Sequence, residues 1–193
     1  MDIVFVTNNM NKLSEIRSLI SSNYNLMSLE EINFNDEIKE TESTLEGNAL
    51  LKARHIFSKY KLNCFADDTG LEVDFLDGAP GVYSARYAGP NCLAKDNIEK
   101  VLNELKDANN RKAKFITVIA LIIEGEEFVF KGECRGVLIK EPIGSDGFGY
   151  DPIFLPNGSN LTFAQMDKDE KGKISHRGLA VKKLLEFLSS RNN

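Results

Sequence analysis

The chain has 193 residues, a formal charge of −5 and three cysteines, the profile of one domain of ordinary size that buries roughly two thirds of its unfolded surface without staples. Cys64, Cys92 and Cys134 are odd in number and lack CxxC or Cys/His spacing, so they read as reduced thiols of a cytoplasmic protein and argue against zinc. The acidic balance argues against long nucleic acid as a partner, the longest apolar run (Val118 to Ile123) is far shorter than the roughly 20 residues of a membrane span, and MDIVFVTNN does not read as a secretory signal.

DIVFV (Asp2 to Val6) is a β-branched run suited to a buried strand, and the polar TNNMNK ends it. KLSEIRSLI then places Leu13, Ile16, Leu19 and Ile20 at helical spacing. A strand, polar loop and helix in this order present backbone amides and the positive end of a helix dipole to an anion, and Lys12 adds a formal charge. Thr7 to Lys12 is therefore a candidate phosphate loop. It is not a Walker loop, because GxxxxGK is absent, and an ordinary polar turn has the same composition.

From Thr44, TLEGNALLKARHIFSKY puts Leu45, Ala49, Ala53, Ile56, Phe57 and Tyr60 on one helical face, with Thr44 or Ser43 as N-cap. His55 in this helix is read as a surface or packing residue. NCFA (Asn63 to Ala66) predicts a strand that delivers Asp67 and Asp68 to its carboxyl end, where open α/β sheets bind ligands. Adjacent side chains on a strand point to opposite faces, so one of the two acids leads in holding an ion unless the strand has already broken. Magnesium takes one or two protein carboxylates plus substrate oxygens; two solvated acids at a loop start are the alternative. Leu71, Val73 and Phe75, alternating with Glu72 and Asp74, predict a half-buried strand, and Asp77-Gly78 predicts a turn.

DNIEKVLNELK is a further amphipathic helix through Ile98, Val101, Leu102 and Leu105. KFITVIALII and EFVFKGECRGVLI predict an antiparallel hairpin joined across Glu124 to Glu126. The remainder reads as loop until SHRGLAVKKLLEFLSS, a closing helix with Ala180, Leu184 and Leu188 at four-residue steps and Ser175 as N-cap. Within that remainder FGYDP (Phe148 to Pro152) offers two aromatic rings, either to stack a base or to pack on the core. Lys171, Lys173, His176 and Arg177 gather where the last helix begins. Cations oppose the dipole there, so either something anionic or carbonyl-rich offsets their placement or the loop is simply solvated. Strands and helices that alternate before a hairpin give the α/β class with a mixed sheet.

In this order TNNMNK, TLEGNALLKA, ADDTGLEVDFLDGAPGVYSARYAG, FGYDPIF and SHRG resemble the inosine/xanthosine triphosphate pyrophosphatase family over essentially the whole chain. The resemblance implies a single domain, residues 1–193, with an elongated mixed twisted sheet flanked by helices and two lobes around a nucleotide cleft, usually as a homodimer. It implies Mg2+-dependent hydrolysis of ITP, dITP and XTP to monophosphate and pyrophosphate, which cleanses the nucleotide pool and prevents misincorporation into DNA and RNA. Residue by residue, Thr7, Asn8, Asn9, Met10, Asn11 and Lys12 match the family's phosphate loop, Lys52 a phosphate-contacting lysine and Thr69 a substrate-contacting hydroxyl. Asp68 matches the general base and metal ligand, and Glu40 the second metal carboxylate, with Glu42 close enough to be the ligand instead. Phe148, Gly149, Tyr150, Asp151, Lys171, His176 and Arg177 match the positions that hold and read the base. Asn8 stands where many members have glycine. The competing readings are a related pyrophosphatase for modified pyrimidine triphosphates and a non-catalytic nucleotide-binding module.

Overall fold

The apolar run after Met1 forms β1 (Asp2–Phe5), followed by α1 (Met10–Leu19), which buries Leu13 and Ile16, and by β2 (Asn25–Met27). The computed structural model describes residues 1–20, 24–91 and 93–191, so Cys92 lies outside the described residues. α2 (Leu45–Tyr60) is capped by the Thr44 hydroxyl, which accepts from the Gly47 amide. It buries Leu45, Ala49, Ala53 and Ile56, as the periodicity predicts, together with Asn48; His55 is exposed, its ring edge-on to Phe34. β3 (Cys64–Val73), the short β4 (Pro80–Gly81) and α3 (Ala94–Glu104) come next.

The expected hairpin is β5 (Lys112–Ile123) and β6 (Glu126–Leu138), paired residue for residue from Lys112 opposite Val137 to Ile123 opposite Glu126. Its turn residues Glu124 and Gly125 take φ of 53° and 86°, the two-residue connection whose twist matches that of the strands. β7 (Phe154–Pro156), α4 (Lys168–Ile174) and α5 (His176–Arg191) complete the chain. The strands form a mixed sheet in the order β2-β1-β3-β5-β6-β7, with β4 beside β3. β1 pairs in parallel with β2 and β3, and the remaining ladders are antiparallel.

Two expectations differ from this architecture. The strand expected to end at Ala66 continues unbroken through Val73, so Asp67 and Asp68 lie in its middle, opposite Ile119 and Val118. The long apolar β5 supplies a partner at every position and carries the chain through the polar ADDT. Phe75 does not continue the alternation; it leaves the sheet in the 3₁₀ turn Asp74–Leu76 and is exposed. The stretch read as loop before SHRG contains α4, whose KDEKGKI has no apolar period. Its start is fixed by the Asp167 side chain, which accepts from Glu170 N. Ser175 caps α5, its hydroxyl accepting from Gly178 N.

Three cores flank the middle of β3. Phe65, Leu121, Ala180 and Leu184 pack with α1 and α5 on one face, and Ala53, Ile56, Ala66 and Ala120 pack with α2 on the other. Leu71, Val73, Phe115, Val101 and Phe154 fill the opposite lobe. The polar Asp67, Asp68 and Thr69 fall between these cores. α5 can lie against β6 because residue 132 is glycine: a methyl there would collide with the His176 carbonyl and the Ala180 amide.

Candidate active site

The site begins with a gap in a strand edge. β1 last pairs with β3 at Phe5 opposite Phe65, and β4 first pairs with it at Leu71 opposite Gly81. Between them the same edge of β3 has no strand neighbour among the described residues, and its polar groups are met by side chains. The Asp67 carbonyl accepts from Lys52 Nζ (2.7 Å), the Leu71 amide donates to Ser84 Oγ (2.8 Å), and the Thr69 amide donates to Asp68 Oδ1 (2.9 Å). A cleft of about 560 Å³ opens over the gap, beyond the carboxyl end of β1. Because the edge is open there, side chains from both faces of β3 share one cavity.

Asp68 sits on the α2 face. Its Oδ2 accepts from Asn48 Nδ2 (3.1 Å), while Asn48 Oδ1 accepts from the Glu42 amide (3.0 Å), which fixes the orientation of the side-chain amide. Lys52 Nζ lies 2.6 Å from Glu40 Oε1 and 4.0 Å from Asp68 Oδ1. Burial, with Glu40 nearby, raises the Asp68 pKa above its usual value despite the opposing charges of Lys52 and Lys12. Glu40 lines the cleft and Glu42 does not. Burial opposes ionisation of Glu40, but the Lys52 charge and hydrogen bond outweigh it and hold its pKa below the usual value.

Asp67 occupies the other face and is 1% exposed. Lys12 Nζ reaches it at 3.0 Å and Arg177 Nε lies 3.5 Å from its Oδ2. Burial alone would raise its pKa, but Lys12, Arg177 and Lys52 overcome that penalty and bring it down to about 2. Lys12 shows the reverse: burial lowers its pKa in spite of Asp67.

A second group of side chains in the cleft collects donors. Arg177, 1% exposed, contacts Glu15 Oε2 (2.5 Å) and donates to Thr69 Oγ1 (3.3 Å). Lys171 contacts Glu15 Oε1 and Asp151 Oδ2, both at 2.6 Å. Both cations lie over the face of Phe148, Arg177 at 5.3 Å and Lys171 at 5.2 Å from its centroid. The cations at the start of the last helix are therefore balanced within the fold by Glu15, Asp67 and Asp151. Lys173 points to solvent. His176 stacks on Phe115 (4.5 Å, 14°); burial, then the charges of Arg177, Lys171 and Lys12, hold its pKa well below the usual value, so the ring is neutral. Its Nδ1 is buried without a partner among the described residues. The two aromatics of FGYDP divide the alternatives: Phe148 is half-buried in the cleft, whereas Tyr150 is 4% exposed and its hydroxyl donates to the Ser84 carbonyl (2.8 Å).

Every residue matched to the family's site lines this one cleft except Met10, which is 68% exposed and belongs to the outer side of α1. The amides of Asn9, Asn11 and Lys12 are already engaged within the loop. Asn9 Oδ1 accepts from the Asn11 and Lys12 amides (3.0 and 3.2 Å), and Thr7 Oγ1 from the Asn9 amide (3.1 Å), because asparagine is a strong N-cap. The polar groups this loop offers the cleft are therefore Lys12 and side-chain amides more than vacant backbone donors. Asn8 is absent from the positive-φ residues, so the loop does not need glycine at that position. Sequence reasoning missed Glu15 and Asn48. Glu15 looks like a solvated helix residue, and Asn48 interrupts an apolar face where a buried polar group demands a partner.

Among the described residues no cluster of three His, Cys, Asp or Glu side chains forms a protein cage for a metal. Glu40 and Asp68 flanking one ammonium in a cleft fit a hard cation that completes its shell with water and phosphate oxygens. Burial pushes the thiols of Cys64 and Cys134 up to about 12 and about 11, so both stay protonated at neutral pH. Among the described residues no helix is long and apolar enough to cross a membrane.

The model of the Ham1 family matches residues 3–187. The chain is 52% identical over 189 residues to a dITP/XTP pyrophosphatase of Christiangramia forsetii, covering 98% of this chain and 100% of that protein. It is 50% identical over 187 residues to a dITP/XTP pyrophosphatase of Porphyromonas gingivalis, covering 96% of each. The solved Ham1 protein of Staphylococcus aureus superposes with a TM-score of 0.90 at 40% identity, covering 99% of this chain and 100% of that one. With its five motif blocks folded around one cleft, the chain belongs to the Ham1 family.

Proposed function

We propose that this chain is a magnesium-dependent pyrophosphatase that hydrolyses ITP, dITP and XTP to the nucleoside monophosphate and pyrophosphate. In this reading residues 1–193 form a single catalytic domain that works as a cytoplasmic homodimer and keeps non-canonical purines out of DNA and RNA. The observation that carries it is one cleft lined by two chemically different sets of side chains. Carboxylates and lysines (Glu40, Asp68, Lys12, Lys52) make up one set, and donors around an aromatic ring (Lys171, Arg177, Phe148) the other. The relatives' printed names, dITP/XTP pyrophosphatase, support the same substrate class.

In the proposed reaction a water oxygen forms a bond to the α-phosphorus, and the bond from that phosphorus to the α,β-bridging oxygen breaks. The electron pair leaves with pyrophosphate, and the water proton passes to Asp68. A carboxylate with a raised pKa is the better proton acceptor, and the Asn48 and Thr69 donors orient it. Lys12 and Lys52 offset phosphate charge where it grows in the transition state. Magnesium held by Glu40 and Asp68 would add further charge neutralisation on the phosphate oxygens.

Base choice follows from hydrogen-bond direction. Hypoxanthine and xanthine present an acceptor at the 6 position and adenine a donor, so the donor-only Arg177 and Lys171 suit the former. Facing adenine, a buried unmatched donor costs about 1–3 kcal/mol, roughly ten- to hundredfold. The test is incubation with Mg2+ and a panel of ITP, dITP, XTP, ATP, GTP and standard and modified pyrimidine triphosphates, resolving pyrophosphate from orthophosphate. Pyrophosphate from the first three alone is the expected outcome. Turnover confined to pyrimidines, or orthophosphate as the only product, contradicts the reading.

A further inference from the structure

Five lysines and arginines line the cleft, and four of them are committed within the fold. Lys12, Lys52, Lys171 and Arg177 each hold a carboxylate at 3.0 Å or closer. Arg86 differs. Its Nη1 lies 3.7 Å from Glu40 Oε2, too far for a hydrogen bond, and its guanidinium rests on the Tyr83 ring at 5.4 Å. Its side chain is 37% exposed, with fork geometry that suits two phosphate oxygens.

The backbone that carries Arg86 is held more firmly than its exposure suggests. The 3₁₀ turn Ser84–Arg86 is braced by buried polar groups. Ser84 Oγ donates to the Gly81 carbonyl (2.6 Å), and the Ser84 carbonyl accepts from the Tyr150 hydroxyl (2.8 Å). Asn97, 4% exposed, donates to the Ala85 carbonyl (2.9 Å) and accepts from the Ala88 amide (2.7 Å). A preset backbone with a loosely held guanidinium is the arrangement expected of a group that waits for a ligand. Arg86 lines the same cleft as Lys12, beside Glu40, the carboxylate that Lys52 also holds.

We infer that Arg86 clamps the terminal phosphates of the substrate, the part that leaves as pyrophosphate, and exchanges its long contact with Glu40 for paired hydrogen bonds to phosphate oxygens. The inference rests on the proposed function for the identity of the ligand. It assigns Arg86 to substrate and product binding, with no part in proton transfer.

The test is calorimetric titration of pyrophosphate, with Mg2+ present, into wild type, Arg86→Gln and Arg86→Lys, and of inosine monophosphate into the same three proteins. Arg86→Gln is expected to weaken pyrophosphate binding about ten- to hundredfold, the range of a lost charge-assisted contact. Arg86→Lys recovers part of that loss, and binding of the monophosphate is unchanged throughout. Unchanged pyrophosphate affinity in Arg86→Gln, an equal loss for inosine monophosphate, or a wild type that does not bind pyrophosphate overturns the clamp. These are binding measurements, so failure of the wild type to hydrolyse ITP would sink the proposed function, while the titration would still decide the role of Arg86.

Discussion

Asp67 and Asp68 are neighbours on one strand with identical side chains and opposite electrostatic fates. Asp67 turns toward α1 and α5, where Lys12 and Arg177 press on it and hold its pKa down to about 2. Asp68 turns toward α2, where burial and Glu40 raise its pKa against Lys52. The first is a permanent anion that keeps two buried cations charged; the second is an adaptable carboxylate that meets the cleft. The chemistry of an acid in this fold is set by the face of β3 it occupies, because α1 and α5 pack on one face and α2 on the other.

The largest expected effect comes from breaking the reactive side. Asp68→Asn keeps the shape and removes the proposed proton acceptor, and it is expected to slow pyrophosphate release by about 10²–10⁴-fold or more. Thermal melting and nucleotide binding by calorimetry should stay near wild type; a variant with near-normal turnover would remove Asp68 from the mechanism. Asp67→Asn attacks the other face. It leaves Lys12 buried without its charge partner and is expected to cost about 3–5 kcal/mol of stability. A melting temperature equal to that of the wild type would deny Asp67 its structural role.

Acid titration separates the pair without mutation. The folded pKa of Asp67, about 2, lies below its ordinary 3.8, so its stabilisation is present above 3.8 and is lost as pH falls from there toward 2. The folded pKa of Asp68 lies above the same ordinary value, so it opposes folding as pH rises through it. The rate should fall with decreasing pH on a limb above 3.8 while the fold persists. Coincident loss of rate and of fold would refute the distinction. The smallest effect sharpens the choice between the two glutamates. Glu40→Gln removes a carboxylate from the cleft and should raise the magnesium concentration needed for half-maximal rate, whereas Glu42→Gln should leave it unchanged. The reverse order would move the metal site to Glu42.

Much of this was legible in the chain. Apolar spacing locates β1, α2, α3, the hairpin and α5, because each buries one face against a neighbour close to its own period. The continuity of β3 was not, since the residue that keeps Asp67 and Asp68 in register is a partner on β5 some fifty positions away. α4 escaped because its stability rests on Asp167 and the ion pairs of Lys171, with no apolar stripe to announce it. The motifs named the cleft residues, with Met10 the one that turns away, but the clamp of Glu15 across Lys171 and Arg177 joins α1 to α4 and α5 through space. The gap in the strand edge that makes the cleft is a property of where β1 ends and β4 begins, and no local pattern encodes it.

The central claim is that water adds at the α-phosphorus beside Asp68. Hydrolysis of ITP in heavy-oxygen water, with mass analysis of both products, tests it most directly. The account predicts the heavy oxygen in the nucleoside monophosphate and none in pyrophosphate; label in pyrophosphate would place the attack on the β-phosphorus and contradict the assignment of Asp68 and its cleft.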